Sequence, residues 1–154
     1  MIRAILTVAG LCATVFSTPA AADPDRVSLL IGSAHPGDGG YFDSRNPGVF
    51  LTWEQRGALG LDISAGIYRN SYGRASAAVT AALPLIRWEG GEASVLAGVA
   101  LYPGDGCRFA VHAGDLVPLA GFQIRHRQLF VQILSGDGKA ADAVIAAGIT
   151  FALD

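Results

Sequence analysis

Cysteine is the scarcest informative residue in this chain, and its scarcity excludes a disulfide framework. There are two, Cys12 and Cys107. The first lies in an N-terminal stretch that reads as a cleaved signal, so Cys107 would remain with no intramolecular partner. The bland expectation for Cys107 is a small buried residue. Charge is also sparse, at 16% Asp, Glu, Lys and Arg, with no basic block, which excludes a nucleic-acid partner. No apolar run reaches the roughly 20 residues that a helical bilayer span needs. Three scattered histidines without Cys or carboxylate at ligand spacing give no zinc site, and no cofactor is implied. The glycines sit at turns and within strands, not between a strand and a helix, so no phosphate-cradling loop is present. A strand-turn-helix nucleophile elbow is missing as well.

What is present begins with Met1-Ile2-Arg3, a short positive region, followed by the apolar Ala4–Phe16 and the small-residue ending Ser17–Ala22. This is the pattern of a secretory signal, with cleavage expected after Ala22. Leu11 before Cys12 does not suit a lipoprotein site. The mature domain would be residues 23–154. Loss of Arg3 takes Lys+Arg from 11 to 10 against 13 Asp+Glu, a formal charge of −3.

The centre of the chain is a β-hairpin. From Leu59 to Arg69, Leu59, Leu61, Ile63, Ala65 and Ile67 fall on one face and Gly60, Asp62, Ser64, Gly66 and Tyr68 on the other. A period of two belongs to a strand. Asn70–Gly73 turns the chain, and Ala75–Leu85 alternates again. Val27–Ser33, Gly48–Gln55, Ala93–Tyr102, Cys107–Ala113 and Ala143–Leu153 read as further strands. Leu119–Leu134 reads either as one long strand or as two joined at Arg125-His126-Arg127. No sustained helical period follows residue 22. The expected fold is all-β, an antiparallel up-and-down meander closing into a small barrel of about eight strands. With eight, the first, third, fifth and seventh connections share a rim that carries three Gly-Asp-Gly tripeptides. These are good turn chemistry and match no calcium-loop grammar, so no metal is expected.

One face is a continuous apolar band, and the other is small and weakly polar. That suits a narrow barrel interior with lipid outside. Trp53, Tyr68, Tyr72, Trp88 and Tyr102 near strand ends suit interfacial girdles. Val27–Ser33, Gly48–Gln55 and Cys107–Ala113 look short for spanning, and Arg125-His126-Arg127 would be costly facing lipid.

Ser33-Ala34-His35, the step Asn46-Pro47-Gly48, and Gly66–Gly73 (GIYRNSYG) resemble a pattern in small exported β-sheet proteins of Gram-negative bacteria and their phages, a likeness that brings no activity with it. Gly148-Ile149-Thr150-Phe151-Ala152-Leu153 resembles the C-terminal insertion signal of outer-membrane barrels, departing from it at Ala147 and Asp154. The overall plan resembles the eight-stranded outer-membrane barrels, some of which are lipid A deacylases and palmitoyltransferases. The deacylases rely on an adjacent His-Ser pair. Here Arg127 follows His126 and Ala113 follows His112, so that signature is missing, and fold alone assigns no activity.

Two clusters could carry chemistry. The first is the long loop with His35, Asp38, Tyr41, Asp43, Ser44, Arg45 and Asn46, in which His35, Asp38 and Ser44 are the raw material of a hydrolytic triad. The plainer reading is a polar rim loop. The second is Tyr68, Asn70, Ser71 and Tyr72, which with Asn46 could recognise a sugar or headgroup, or could simply cap a turn. The leading expectation is an exported, outer-membrane-associated barrel with a structural or interaction role. Its partners would be membrane lipid and a small ligand or envelope protein. The alternatives are a lipid- or envelope-modifying hydrolase or acyltransferase, and a soluble periplasmic binding barrel.

Overall fold

A computed structural model describes residues 22–37, 42–136 and 141–153. The expected signal, apart from Ala22, therefore lies outside the described residues, as do Asp38, Tyr41 and Asp137. Eight strands follow one another: β1 Arg26–Ala34, β2 Gly48–Arg56, β3 Leu61–Arg69, β4 Ala75–Trp88, β5 Gly91–Leu101, β6 Leu116–His126, β7 Leu129–Ser135 and β8 Ala143–Ala152. Each pairs antiparallel with its neighbour, and β8 returns to β1, so the sheet closes as an up-and-down barrel. Closure leaves no sheet edge to be covered.

Alternation decides which way each side chain points. In β3, Asp62, Ser64 and Tyr68 turn inward, and Ile63 and Ile67 turn out. On the inner face, hydroxyls and amides of neighbouring strands meet in register: Ser28 donates to Thr150 at 2.8 Å, Thr52 and Ser64 lie 2.8 Å apart, and Gln132 donates to Gln123 at 2.8 Å. Where a large ring enters the narrow interior, its partner in register on the neighbouring strand is glycine. A Cβ on Gly148 would stand 2.6 Å from the Phe130 ring, and one on Gly66 2.4 Å from that of Phe50.

Eight strands were expected, and two differences from the expected set cancel. Cys107–Ala113 is not a strand. It forms a 3-10 turn at Gly106–Arg108 followed by irregular chain. The reason is that Leu101 of β5 pairs directly with Leu116 of β6, and Tyr102 N–H donates to the Asp115 carbonyl at 2.8 Å, closing 102–115 as a loop. Cys107 is accordingly exposed, not buried. Leu119–Leu134 divides between β6 and β7, joined by Arg127-Gln128. β1 and β2 are nine residues each, longer than the sequence suggested and within the reach of a tilted span.

The connections differ by side. Those at 57–60, 89–90 and 127–128 are short and lie at the same end as Ala22 and Leu153. At the other end stand 35–47, 70–74, 102–115 and 136–142. The rim expected to gather the odd-numbered connections does so.

Candidate functional site

The mouth of the barrel on the long-loop rim joins the two sequence clusters. The turn after β3 is built by Asn70, which is fully buried. Its Oδ1 accepts the Tyr72 and Arg74 amides at 2.9 and 3.0 Å, and its Nδ2 donates to the Ser76 hydroxyl at 2.8 Å. Asn70 is therefore a turn-builder whose side chain is spent on the turn's own amides and on Ser76. It leaves Ser71 at the apex.

His35, just past β1, places Nε2 2.7 Å from Ser71 Oγ. Asn46, just before β2, donates Nδ2 toward the same oxygen at 3.5 Å. The Ser33 hydroxyl donates to Asn46 Oδ1 and so fixes which end of the amide faces Ser71. The backbone reinforces this meeting, with Asp43 N–H donating to the Ser71 carbonyl at 2.9 Å. His35, Asn46, Tyr68, Ser71 and Tyr72 thus converge. Ser44 is exposed, and its contribution is a carbonyl that accepts the Ser33 amide at 3.0 Å. Ser71, which the sequence places in the ligand cluster, occupies the position beside His35 expected for Ser44. Asp38 is outside the described residues.

An aromatic collar surrounds the pair. The rings of His35 and Phe42 lie 4.7 Å apart, Phe42 meets Tyr72 edge-on at 5.3 Å, and Tyr72 meets Tyr102 and Phe109 at 6.3 and 6.2 Å. Tyr68 and Tyr102 are 6.4 Å apart across the mouth. These tyrosines are not an external girdle: alternation turns Tyr68 inward, and the rim residues Phe42 and Phe109 pack against Tyr72, with Phe109 also against Tyr102. Burial pushes the Tyr102 phenol above its ordinary value, so it stays a neutral hydroxyl. Trp53 and Trp88 belong to the opposite rim, where the Trp88 indole donates to His126 Nδ1 at 3.1 Å.

Ser71 separates two spaces. Inward lies a cavity of about 100 Å³, whose apolar lining includes Leu30, Phe50, Leu96 and Leu134. Outward lies an open bowl of about 320 Å³ formed by Arg69, Arg74, Arg108, Asp43, Asp105 and Tyr72. Arg69 pairs with Asp43 at 2.9 Å, and Arg108 and Arg74 approach Asp105 at 2.8 and 3.3 Å. The Arg108 guanidinium also lies 4.8 Å above the Tyr72 ring. Asp105, the middle residue of one Gly-Asp-Gly tripeptide, is buried and serves these arginines. Among the described residues, no group of three or more His, Cys, Asp or Glu could hold a metal.

At the far end of the cavity is a floor of charge. Arg125 contacts Glu54, Glu92 and Asp62, the last two at 3.0 and 3.8 Å, and Arg26 meets Glu54 at 2.9 Å. Arg125 is therefore inside the barrel and not on its apolar outer face. In sequence Arg125-His126-Arg127 reads as one unit costly to face lipid, whereas a strand sends neighbouring side chains to opposite sides.

The fold and site define a closed eight-stranded antiparallel barrel with a plugged lumen and a decorated rim. In comparison with known proteins, the chain matches no family model and no curated sequence.

Proposed function

We propose that this chain is a small β-barrel that inserts into a bacterial outer membrane and offers its long-loop rim as an interaction surface. One observation carries the reading: polarity is inverted. Among the described residues the largest fully buried side chains are Asn70, Thr150, Asp105 and Ser94, all polar, while Ile67 is 69% exposed and Phe122 60%. Outward-facing Ile31, Val49, Val79, Val99, Ile133 and Ile145 extend that band around the barrel. Each such side chain left in water forgoes about 1.5–3 kcal/mol of burial. A surface apolar on every strand has no dry side unless hydrocarbon surrounds it. Short turns at one end and longer loops at the other fit the same class. A lumen of about 100 Å³, floored by ion pairs, does not suit a solute channel.

The test is heat modifiability of the protein in carbonate-washed outer membranes. The expected result is retention in the pellet, with unboiled and boiled samples migrating differently on a detergent gel. Complete release by carbonate with no shift would sink the membrane reading and favour a soluble periplasmic barrel whose belt is covered by another protein.

A further inference from the structure

We propose that Ser71 and His35 form a nucleophile–base pair that cleaves carboxylic esters with a short apolar acyl group and an anionic alcohol portion. The inference rests on the membrane reading only for how an amphiphilic substrate reaches the rim.

The hydrogen bonds around Ser71 have a direction. Asn46 presents its amide Nδ2 to Ser71 Oγ because Ser33 holds its carbonyl end. With Oγ accepting from Asn46, the Ser71 proton is free to point to His35 Nε2 at 2.7 Å when the imidazole is protonated at Nδ1, the tautomer this proposal requires. That is the geometry of an alcohol poised to lose its proton to a general base. The pair also lies where two differently lined spaces meet, since Ser71 borders both the cavity and the bowl. An engineered cavity of about 150 Å³ admits benzene. The smaller volume here, walled by Leu30 and Phe50, suits an acyl group of roughly four carbons. On the other side Arg69, Arg74 and Arg108 outnumber Asp43 and Asp105, leaving the bowl one charge positive. A phosphate, sulfonate or carboxylate on the alcohol portion suits it.

In the first step Ser71 Oγ bonds to the ester carbonyl carbon as its proton passes to His35 Nε2. Asn46 Nδ2 donates to the developing oxyanion. The bond from that carbon to the alcohol oxygen then breaks, and His35 returns the proton to the departing alkoxide. Water attacks the acyl-Ser71 ester, giving its proton to His35, which restores it to Ser71 Oγ as the carboxylic acid leaves. Ester and water are consumed, and alcohol and acid are formed.

The test uses the full mature chain folded in neutral detergent micelles, with its gel shift confirming the fold of every variant. A fluorophosphonate probe should label the wild type at Ser71 and fail to label Ser71→Ala. Labelling should slow at least 100-fold in His35→Gln and stay unchanged in Ser44→Ala. Turnover of 4-butanoyloxybenzenesulfonate should exceed that of neutral 4-nitrophenyl butanoate by a ratio that falls at least tenfold in Arg108→Gln. Absence of label on wild-type Ser71, or equal ester turnover by Ser71→Ala, would overturn the proposal. If the barrel proves soluble, the same assay in buffer still decides the chemistry, so the two readings fail separately.

Discussion

The Arg125 guanidinium lies 3.0 Å from the carboxylate of Glu92, its partner in register on the neighbouring strand, joining β6 to β5 inside the barrel at the short-turn end. Arg125 also contacts Glu54 of β2 and lies 3.8 Å from Asp62 of β3, so one cation holds three carboxylates drawn from three strands. Arg26 is the second cation, on Glu54, and Arg87 approaches Glu92 at 3.4 Å from the more exposed side. Removing the central cation would leave carboxylates buried against one another. Arg125→Met is expected to destabilise the barrel by about 3–5 kcal/mol. Adding Glu92→Gln should recover part of the loss. Urea unfolding in micelles, followed by tryptophan fluorescence, measures both. A neutral effect of Arg125→Met would mean that water already screens the cluster.

Much of the fold was legible because strand alternation leaves a direct trace in sequence. Asp62, Ser64 and Tyr68 against Ile63 and Ile67 gave the inner and outer faces of β3 as they stand. The division of Leu119–Leu134 also had a signal. Phe122 and Ile124 are apolar at even positions, whereas Leu129, Val131 and Ile133 are apolar at odd ones. A continuous strand cannot change phase that way, but a two-residue turn pairing Arg125 with Phe130 does so naturally. The site was less legible. His35 and Ser71 are separated by 36 positions, and only closure of the barrel sets β1 and the β3–β4 turn around one mouth. Ser44 was nearer to His35 in sequence, and local spacing says nothing about a contact made across strands. Cys107–Ala113 misled because seven alternating residues look alike whether or not a partner strand is available.

Acid should loosen the short-turn end at Asp25. Asp25 accepts the Glu54 amide at 2.8 Å and the Arg56 guanidinium at 2.6 Å. The Glu54 amide, with Arg56 beside it, holds the carboxyl below its ordinary value of 3.8. A group with a depressed folded pKa contributes stability that is fully present above the ordinary value. That contribution is lost as pH falls through the lower, folded one. Protection of the Glu54 amide from hydrogen exchange, corrected for intrinsic rate, should therefore hold at pH 5 and decline below about pH 4. In Asp25→Asn the decline should be absent. An identical pH profile in that variant would assign the effect to other carboxylates.

Cys107 provides a test of which rim faces outward. It is the single cysteine among the described residues, it is exposed, and it sits in the 3-10 turn of the 102–115 loop, on the rim with His35 and Ser71. In the proposed membrane orientation the longer loops face the exterior and the short turns the periplasm. A membrane-impermeant maleimide applied to intact cells should then label the mature protein at Cys107, and Cys107→Ser should abolish the signal. A cysteine placed at Glu89, in the short 89–90 turn at the other end, should react only after the outer membrane is permeabilised. Labelling of Glu89→Cys in the Cys107→Ser background on intact cells, with Cys107 of the otherwise unaltered protein left unlabelled, would reverse the orientation. The Ser71 mouth would then open to the periplasm, and the anionic esters it could meet would be those of the inner face.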